Sequence, residues 1–524
     1  MKNSVKICLL LLLLMLTLRV SVFSSPDIGE NYWPKESWRT STPEEQGMDS
    51  EIIYQMLEYM KERPSFHSVL IIRNGYLVTE SYFAPYHKDI QQNIASCTKS
   101  FTSALIGMAI QDGLIKDIHQ KVVDFFPEYN FSNFGEQKKA ITIESLLSMT
   151  AGLDWVEPSL ADGRDLYYQK DVYPMVFSKN SIQYILDHPM KSEPGVRFYY
   201  NSGASHLLSA IIQKVSGMNT LDYANQRLFK PLGIADFGWD KDSAGIPWGG
   251  MNLTLTPLEM AKFGYLYLRQ GVWEGKQIVP AEWVKTSIQD HIRFSVGPLT
   301  IPYGYQWWVA PYGFYAAGHG GQNILVIPES DMVVVFTSGG EEALSVAEKF
   351  IIPAVKSAQP LPPNKKIIPK MIKLLREIES PKPKPVPALP KIAAKISGKP
   401  ISCKTNGSHF QSLSLCFNPK NICLLKIHWN DGSISDHPVG LDGIYRTSAI
   451  NLTKGPGIVA LKGSWVSKRK FILNCQVLLE PGRVDYGFSF DENEPVIEVS
   501  GSVLGYFGTI DVLPSSWFFW NWPN

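Results

Sequence analysis

The chain has 524 residues, 44% of them apolar and 19% charged, with a formal net charge of +1. That length exceeds one ordinary domain, and the composition is globular rather than disordered. The balanced charge gives no bulk attraction to nucleic acid, and the sequence has no glycine-rich phosphate loop before a helix, no His-Glu-x-x-His and no paired Cys-x-x-Cys, so nucleotide and zinc chemistry have no support.

Lys2 and Lys6 precede an apolar run over 7–18, and Ser21, Ser24 and Ser25 follow it. This is the pattern of a secretory signal peptide occupying residues 1–25. The run is short for a membrane span and Arg19 closes it, so an exported enzyme (periplasmic or extracellular) is expected, with an uncleaved anchor as the alternative. Residues 26–48 are irregular. Residues 49–61 read as an amphipathic helix with Ile52, Ile53, Met56, Leu57 and Met60 on one face. Residues 66–83 read as a hairpin whose two apolar runs flank Asn74-Gly75, a pair favoured in two-residue turns.

The next stretch is Ala95-Ser96-Cys97-Thr98-Lys99-Ser100-Phe101. Helical periodicity runs over 100–111 and Gly113 stops it, so Ser96 begins a helix and Lys99 stands one turn on, on the same side. A serine hydroxyl needs a base within hydrogen-bond reach, and a lysine partly removed from water loses its proton more easily. The helix N-terminus also favours the negative charge that develops in acyl transfer. Ser-x-x-Lys by itself equally describes a capping serine beside an exposed lysine; the surrounding motifs decide.

Helical signals dominate from 115 to about 290, including a cap at Thr142, a helix over 202–216 stopped by Gly217, and a capping box at Thr256-Pro257-Leu258-Glu259. Strands are expected again near Tyr303, with 305–309 extended, then 315–317, 323–327 and 332–337, and a helix over 344–355. Strands at both ends of 66–340 with helices between them predict an α+β unit: one antiparallel sheet flanked by helices, with a helical subdomain, over 26–358. Residues 359–400 are rich in proline and lysine. They read as a linker, extended over 381–390 with one short helix over 370–379; a solvated spacer is favoured over contact with anionic headgroups. From 401 to 524, short alternating runs separated by turns predict a small all-β barrel or sandwich, which shows no clustered acid, base or nucleophile. Its aromatic tail at 517–522 is expected to pack on the module. Cys403, Cys416, Cys423 and Cys475 allow two disulfides or buried free thiols.

Two more stretches supply what Ser96 and Lys99 lack. Tyr199-Tyr200-Asn201 lies just before the helix at 202; from a tight loop the Tyr199 phenol can relay a proton while the Asn201 amide binds a substrate carbonyl and orients the lysine. A buried tyrosine and a capping asparagine are the structural alternative. Gly318-His319-Gly320-Gly321-Gln322 runs into a strand, where glycines allow backbone to approach a ligand closely and a strand N–H can pair with the Ser96 N–H as an oxyanion hole.

Taken together these stretches resemble the serine β-lactamase and penicillin-binding-protein superfamily. Ser96-Cys97-Thr98-Lys99 matches Ser-x-x-Lys, Tyr199-Tyr200-Asn201 matches the Tyr-x-Asn of the class C-like branch, and His319-Gly320-Gly321 matches the third motif in its His-x-Gly form. The resemblance covers residues 35–357; the C-terminal part is similar to the lipocalin-like module appended to some members. It implies that Ser96 forms an acyl-enzyme, with Lys99 and Tyr199 as base. It further implies that Asn201, His319, Gly321 and Gln322 serve the substrate and the oxyanion, and that no metal or organic cofactor is needed. The implied substrate is a small ester, amide or peptide. His319 replaces the lysine usual in lactamases and DD-peptidases, which favours the esterase and amidase branch. A DD-carboxypeptidase or β-lactamase, and a non-catalytic binding protein on the same fold, are the alternatives.

Overall fold

The structure, a computed structural model, describes residues 32–511 except 35, 131, 133, 158–169, 297–298, 341–342, 403–409, 419–421, 453–454, 491–494 and 503–508. The expected signal peptide, the aromatic tail and Cys403 lie outside the described residues.

An eight-stranded antiparallel sheet organises the first part of the chain. Its strands are β1 (Phe66–Arg73), β2 (Tyr76–Tyr82), β3 (Ile292–Val296), β4 (Leu299–Tyr303), β5 (Trp308–Ala310), β6 (Gly313–Gly318), β7 (Gln322–Ile327) and β8 (Met332–Ser338). They lie in the order β2-β1-β8-β7-β6-β5-β4-β3, so β1 and β8, from opposite ends of this part of the chain, pair as the second and third strands from one edge of the sheet. Both faces of that pair are covered, because successive side chains alternate across the pleat. Leu70, Ile72, Val333 and Val335 join one core; Val69, Ile71, Val334 and Phe336 join the other. The Asn74-Gly75 turn has both residues at positive φ, 51° and 74°, as a type I′ hairpin requires.

The first core is capped by α2 (Thr98–Gln111), α3 (Ser202–Ser216) and α4 (Pro257–Leu268); the second by α1 (Ser50–Lys61), the helical run from Ala343 to Ala354 and α5 (Ile368–Glu379). Every residue of α2 from Thr98 to Ala109 is buried, so this helix sits inside the domain rather than on it. Ala95–Cys97 forms a 3-10 turn leading into it. Asn201 and Thr256 cap α3 and α4 through side-chain oxygens.

Three expectations change. The 305–309 stretch is not continuous strand: Gly304 N–H donates to Trp307 O and Gln306 has φ 63°, making a tight turn before β5. The β3–β4 hairpin fills the stretch between the helical signals ending near 290 and Tyr303, so strands resume about ten residues earlier than expected. Within 359–400, α5 is not solvated, because Met371, Leu374 and Ile378 fall on one face and pack into the second core.

A short helix, α6 (Lys391–Ile396), leads into the C-terminal module. Its strands are β9 (Ile401–Ser402), β10 (Phe410–Asn418), β11 (Ile422–Trp429), β12 (Ile434–Gly440), β13 (Arg446–Leu452), β14 (Gly455–Trp465), β15 (Lys470–Val477), β16 (Arg483–Phe490), β17 (Pro495–Ser502) and β18 (Thr509–Asp511). They form one sheet in near-sequential order around a core of Leu413, Leu425, Val459, Phe471, Tyr486 and neighbours. Among the described residues Cys97, Cys416 and Cys423 are free thiols.

Candidate active site

Ser96 is the middle residue of the 3-10 turn, partly open to solvent, while Lys99 on the first turn of α2 is 2% exposed. Lys99 Nζ lies 3.0 Å from Ser96 Oγ, 2.9 Å from Ser202 Oγ and 2.9 Å from the Gly250 carbonyl. Burial removes water from the ammonium and lowers its pKa to about 8, against an opposing pull upward from the Glu157 carboxylate. The thiol of Cys97, next to the nucleophile, is fully buried and pushed up by that burial, so it is no competitor.

The phenol that reaches this pair belongs to Tyr200, not to Tyr199. Lys99 Nζ sits 4.7 Å from the centre of the Tyr200 ring, and the Tyr200 hydroxyl hydrogen-bonds Ser96. Desolvation raises the Tyr200 pKa, so it stays a protonated phenol where Lys99 is the group that can give up its proton. Tyr199 points elsewhere, with Lys191 Nζ 5.4 Å and the Arg197 guanidinium 5.8 Å from its ring. The shift has a local cause. Asn201 is the N-cap of α3: its backbone is extended and its Oδ1 accepts from Ala204 N–H at 2.9 Å. A side chain committed to its own helix does not reach Lys99, and Ser202 on the first helical position takes that place. Ser202 Oγ in turn donates to Glu157 Oε1 at 2.6 Å, and Ser202 N–H and Trp155 Nε1–H both donate to Glu157 Oε2.

The third motif forms the turn between β6 and β7. His319 is mostly buried and its pKa is lowered to about 4, so it is neutral at pH 7. The glycines serve packing more than ligand approach: a Cβ on Gly321, at φ 81°, would fall 2.0 Å from the Gly340 carbonyl, and one on Gly320 would fall 2.9 Å from Pro481 Cβ. The Gln322 side chain is turned inward, donating to the Gly320 and Ser338 carbonyls, while the Gln322 backbone carbonyl accepts from the Cys97 thiol at 3.3 Å. The edge of β6 also runs beside the nucleophile's turn. Pairing with β5 ends at Tyr315, and beyond it this edge faces the Ala95–Cys97 turn, with a Cβ on Gly318 falling 2.3 Å from the Ile94 carbonyl.

Beside Tyr200 an aromatic wall continues through Phe198, Phe294, Tyr303, Trp308 and Tyr315, with Met149 and Ala317. Phe198 stacks on Phe294 at 4.2 Å and Tyr200 lies parallel to Trp308 at 6.1 Å. The wall is apolar, and the β3–β4 hairpin supplies Phe294 and Tyr303 to it.

The model of the Beta-lactamase family matches residues 58–349, more than half of the chain. The chain belongs to the beta-lactamase family. An uncharacterised protein of Alkalihalophilus pseudofirmus is 26% identical over 312 residues, covering 51% of this chain and 82% of that protein. The 6-aminohexanoate-dimer hydrolase of Paenarthrobacter ureafaciens is 22% identical over 296 residues, covering 53% and 74%. A solved Bacillus anthracis structure assigned as a 6-aminohexanoate-dimer hydrolase superposes with a TM-score of 0.52 at 21% identity, covering 64% of this chain and 91% of that one. Membership in this family makes the chain a serine hydrolase in kind.

Sequence reasoning missed Ser202 and Glu157. Ser202 could have been found by reading Asn201-Ser202-Gly203 as a helix start, which fixes Asn201 as the cap. Glu157 has no motif around it; only its distance from Lys99 in three dimensions marks it.

Proposed function

We propose that the protein is an exported serine hydrolase cleaving an uncharged, largely apolar ester or amide through a Ser96 acyl-enzyme. The observation that carries this reading is a buried lysine with a pKa near 8 whose Nζ lies 3.0 Å from Ser96 Oγ. In its neutral form Lys99 takes the Ser96 proton as Oγ bonds to the carbonyl carbon. The oxyanion is held by the Ser96 N–H and a backbone N–H on the exposed edge of β6. Tyr200, kept protonated, donates to the leaving alcohol or amine and is reprotonated from Lys99. After the leaving group departs, water gives a proton to the same pair and its oxygen attacks the acyl carbon, releasing the acid and restoring the Ser96 hydroxyl.

The substrate class follows from charge and shape. The aromatic wall favours an apolar acyl or alcohol group. A neutral His319 offers no cation to a substrate carboxylate, which disfavours DD-carboxypeptidase and β-lactamase activity. One relative is named for a dimer of 6-aminohexanoate, an amino acid whose amine and carboxyl condense to an amide, which keeps amides in the proposed range. The leader pattern at 1–25 supports export. The test is turnover of p-nitrophenyl acyl esters and N-acyl anilides beside nitrocefin and a D-Ala-D-Ala peptide. Hydrolysis of the neutral substrates and little of the carboxylates is expected. The reverse order overturns the substrate class, and no turnover of any of them favours a non-catalytic binding protein.

A further inference from the structure

The C-terminal module shows no chemistry of its own in the sequence, yet the turn joining β15 to β16 touches the nucleophile's support. Leu478 anchors this turn, buried at 2% in a cluster with Tyr86, Ile90 and Ala460. Next to it, the Leu479 carbonyl accepts from Asn93 N–H at 2.7 Å, and Glu480 Oε2 accepts from Asn93 Nδ2 at 3.2 Å. Pro481 closes over the third motif, its Cβ 2.9 Å from where a Cβ on Gly320 would stand and its carbonyl 2.4 Å from one on Gly339.

Asn93 is the joint. Its Oδ1 accepts from Ala95 N–H at 2.9 Å, and its Nδ2 is shared between Glu480 and Asn252 Oδ1, 3.2 Å away. Ala95 directly precedes Ser96 and has φ 47°, a left-handed conformation that a non-glycine residue adopts only when its surroundings hold it there. Asn252, at φ 65°, lies two residues past Gly250, whose carbonyl anchors Lys99. One carboxamide therefore ties the turn presenting the nucleophile to the turn holding the base. A carboxamide has a donor end and an acceptor end, and reversing it would set its NH2 against Ala95 N–H. An ionised carboxylate accepts only, so Glu480 selects the orientation in which Oδ1 faces Ala95.

We propose that Glu480 is a positioning residue: through Asn93 it fixes the turn that aims Ser96, so the β-module completes the active site of the hydrolase domain. This rests on Ser96 being the nucleophile. The test measures inactivation of the full-length protein by a fluorophosphonate, separating the maximal rate of Ser96 modification from the half-saturating concentration. Glu480→Ala is expected to lower the maximal rate about tenfold or more while leaving half-saturation nearly unchanged. Glu480→Gln keeps an acceptor oxygen and should recover most of that loss. Asn93→Ala should cost at least as much, and adding Glu480→Ala to it should cost nothing further. Thermal denaturation run alongside shows whether each variant is folded. Wild-type labelling on Ser96 with an unchanged rate in folded Glu480→Ala, or additive losses in the double variant, would overturn the positioning role alone. Wild-type labelling at a residue other than Ser96 would overturn the nucleophile assignment beneath it.

Discussion

Removing the charge of Glu157 tests how the site tunes its base. A lysine lowered from 10.5 to about 8 is neutral in about one molecule in ten at pH 7, against about three in ten thousand for an unperturbed one. Glu157 works against this, because a carboxylate favours the ammonium. Both groups meet at Ser202 Oγ, 2.9 Å from Lys99 Nζ and 2.6 Å from Glu157 Oε1, so the charges lie no more than about 5.5 Å apart. At an effective dielectric of 20 that is about 3 kcal/mol, or about two pH units. Glu157→Gln also reverses a hydrogen bond. Its Oε1 can keep the Ser202 and Trp155 N–H donors while its NH2 donates to Ser202 Oγ, freeing that hydroxyl to donate to a neutral amine. Charge and hydrogen bonding thus push the same way. The acid limb of kcat/KM, which reports the free enzyme, should move from about 8 in the wild type to about 6 in Glu157→Gln. Relative to each protein's own plateau, the variant should be about fiftyfold more active at pH 6. An acid limb that stays in place or moves upward would refute the reasoning.

Tyr200→Phe should lower kcat by about a hundredfold or more, the usual worth of a positioned acid–base group, while Tyr199→Phe stays within a few-fold; equal losses, or the reverse order, would return the role to Tyr199. Burying Lys99 also has a stability signature. Its folded pKa lies below its unfolded value, so the cost is fully present below about pH 8 and is relieved as pH rises toward 10.5. Denaturant unfolding of wild type and Lys99→Met should therefore converge by up to about 3 kcal/mol between pH 8 and 10.5, with the wild type gaining; a constant difference would show that the ammonium is not strained. Phe294→Ala, which opens the aromatic wall, should lower kcat/KM for a hexanoyl ester about tenfold more than for an acetyl ester, as loss of apolar contact implies. Equal losses on both esters would remove the wall from acyl recognition.

Much of the fold was legible because its signals are local. Asn74-Gly75 between two apolar runs, the capping box at Thr256 and the stop at Gly217 each specify their element without tertiary help. The pairing of β1 with β8, across most of the domain, followed only from strands lying at both ends of the predicted unit. The helix α5 was readable as an amphipathic stretch, but neighbouring prolines and lysines hid that its apolar face is covered. At the site, Ser96 and Lys99 share a helical turn, so spacing alone brings them together. The tyrosine was off by one residue because Tyr199-Tyr200-Asn201-Ser202 carries two overlapping patterns, and only the capping geometry of Asn201 chooses between them. The link from Glu480 to Asn93 spans most of the chain and leaves no pattern in the sequence.

The most direct measurement of the central claim is intact-mass analysis with peptide mapping after brief exposure to an activated acyl donor. The account predicts one acyl group, carried by the peptide containing Ser96 in the wild type and missing from Ser96→Ala, which should also lose turnover. An acyl group on another residue, or turnover that survives Ser96→Ala, would contradict it.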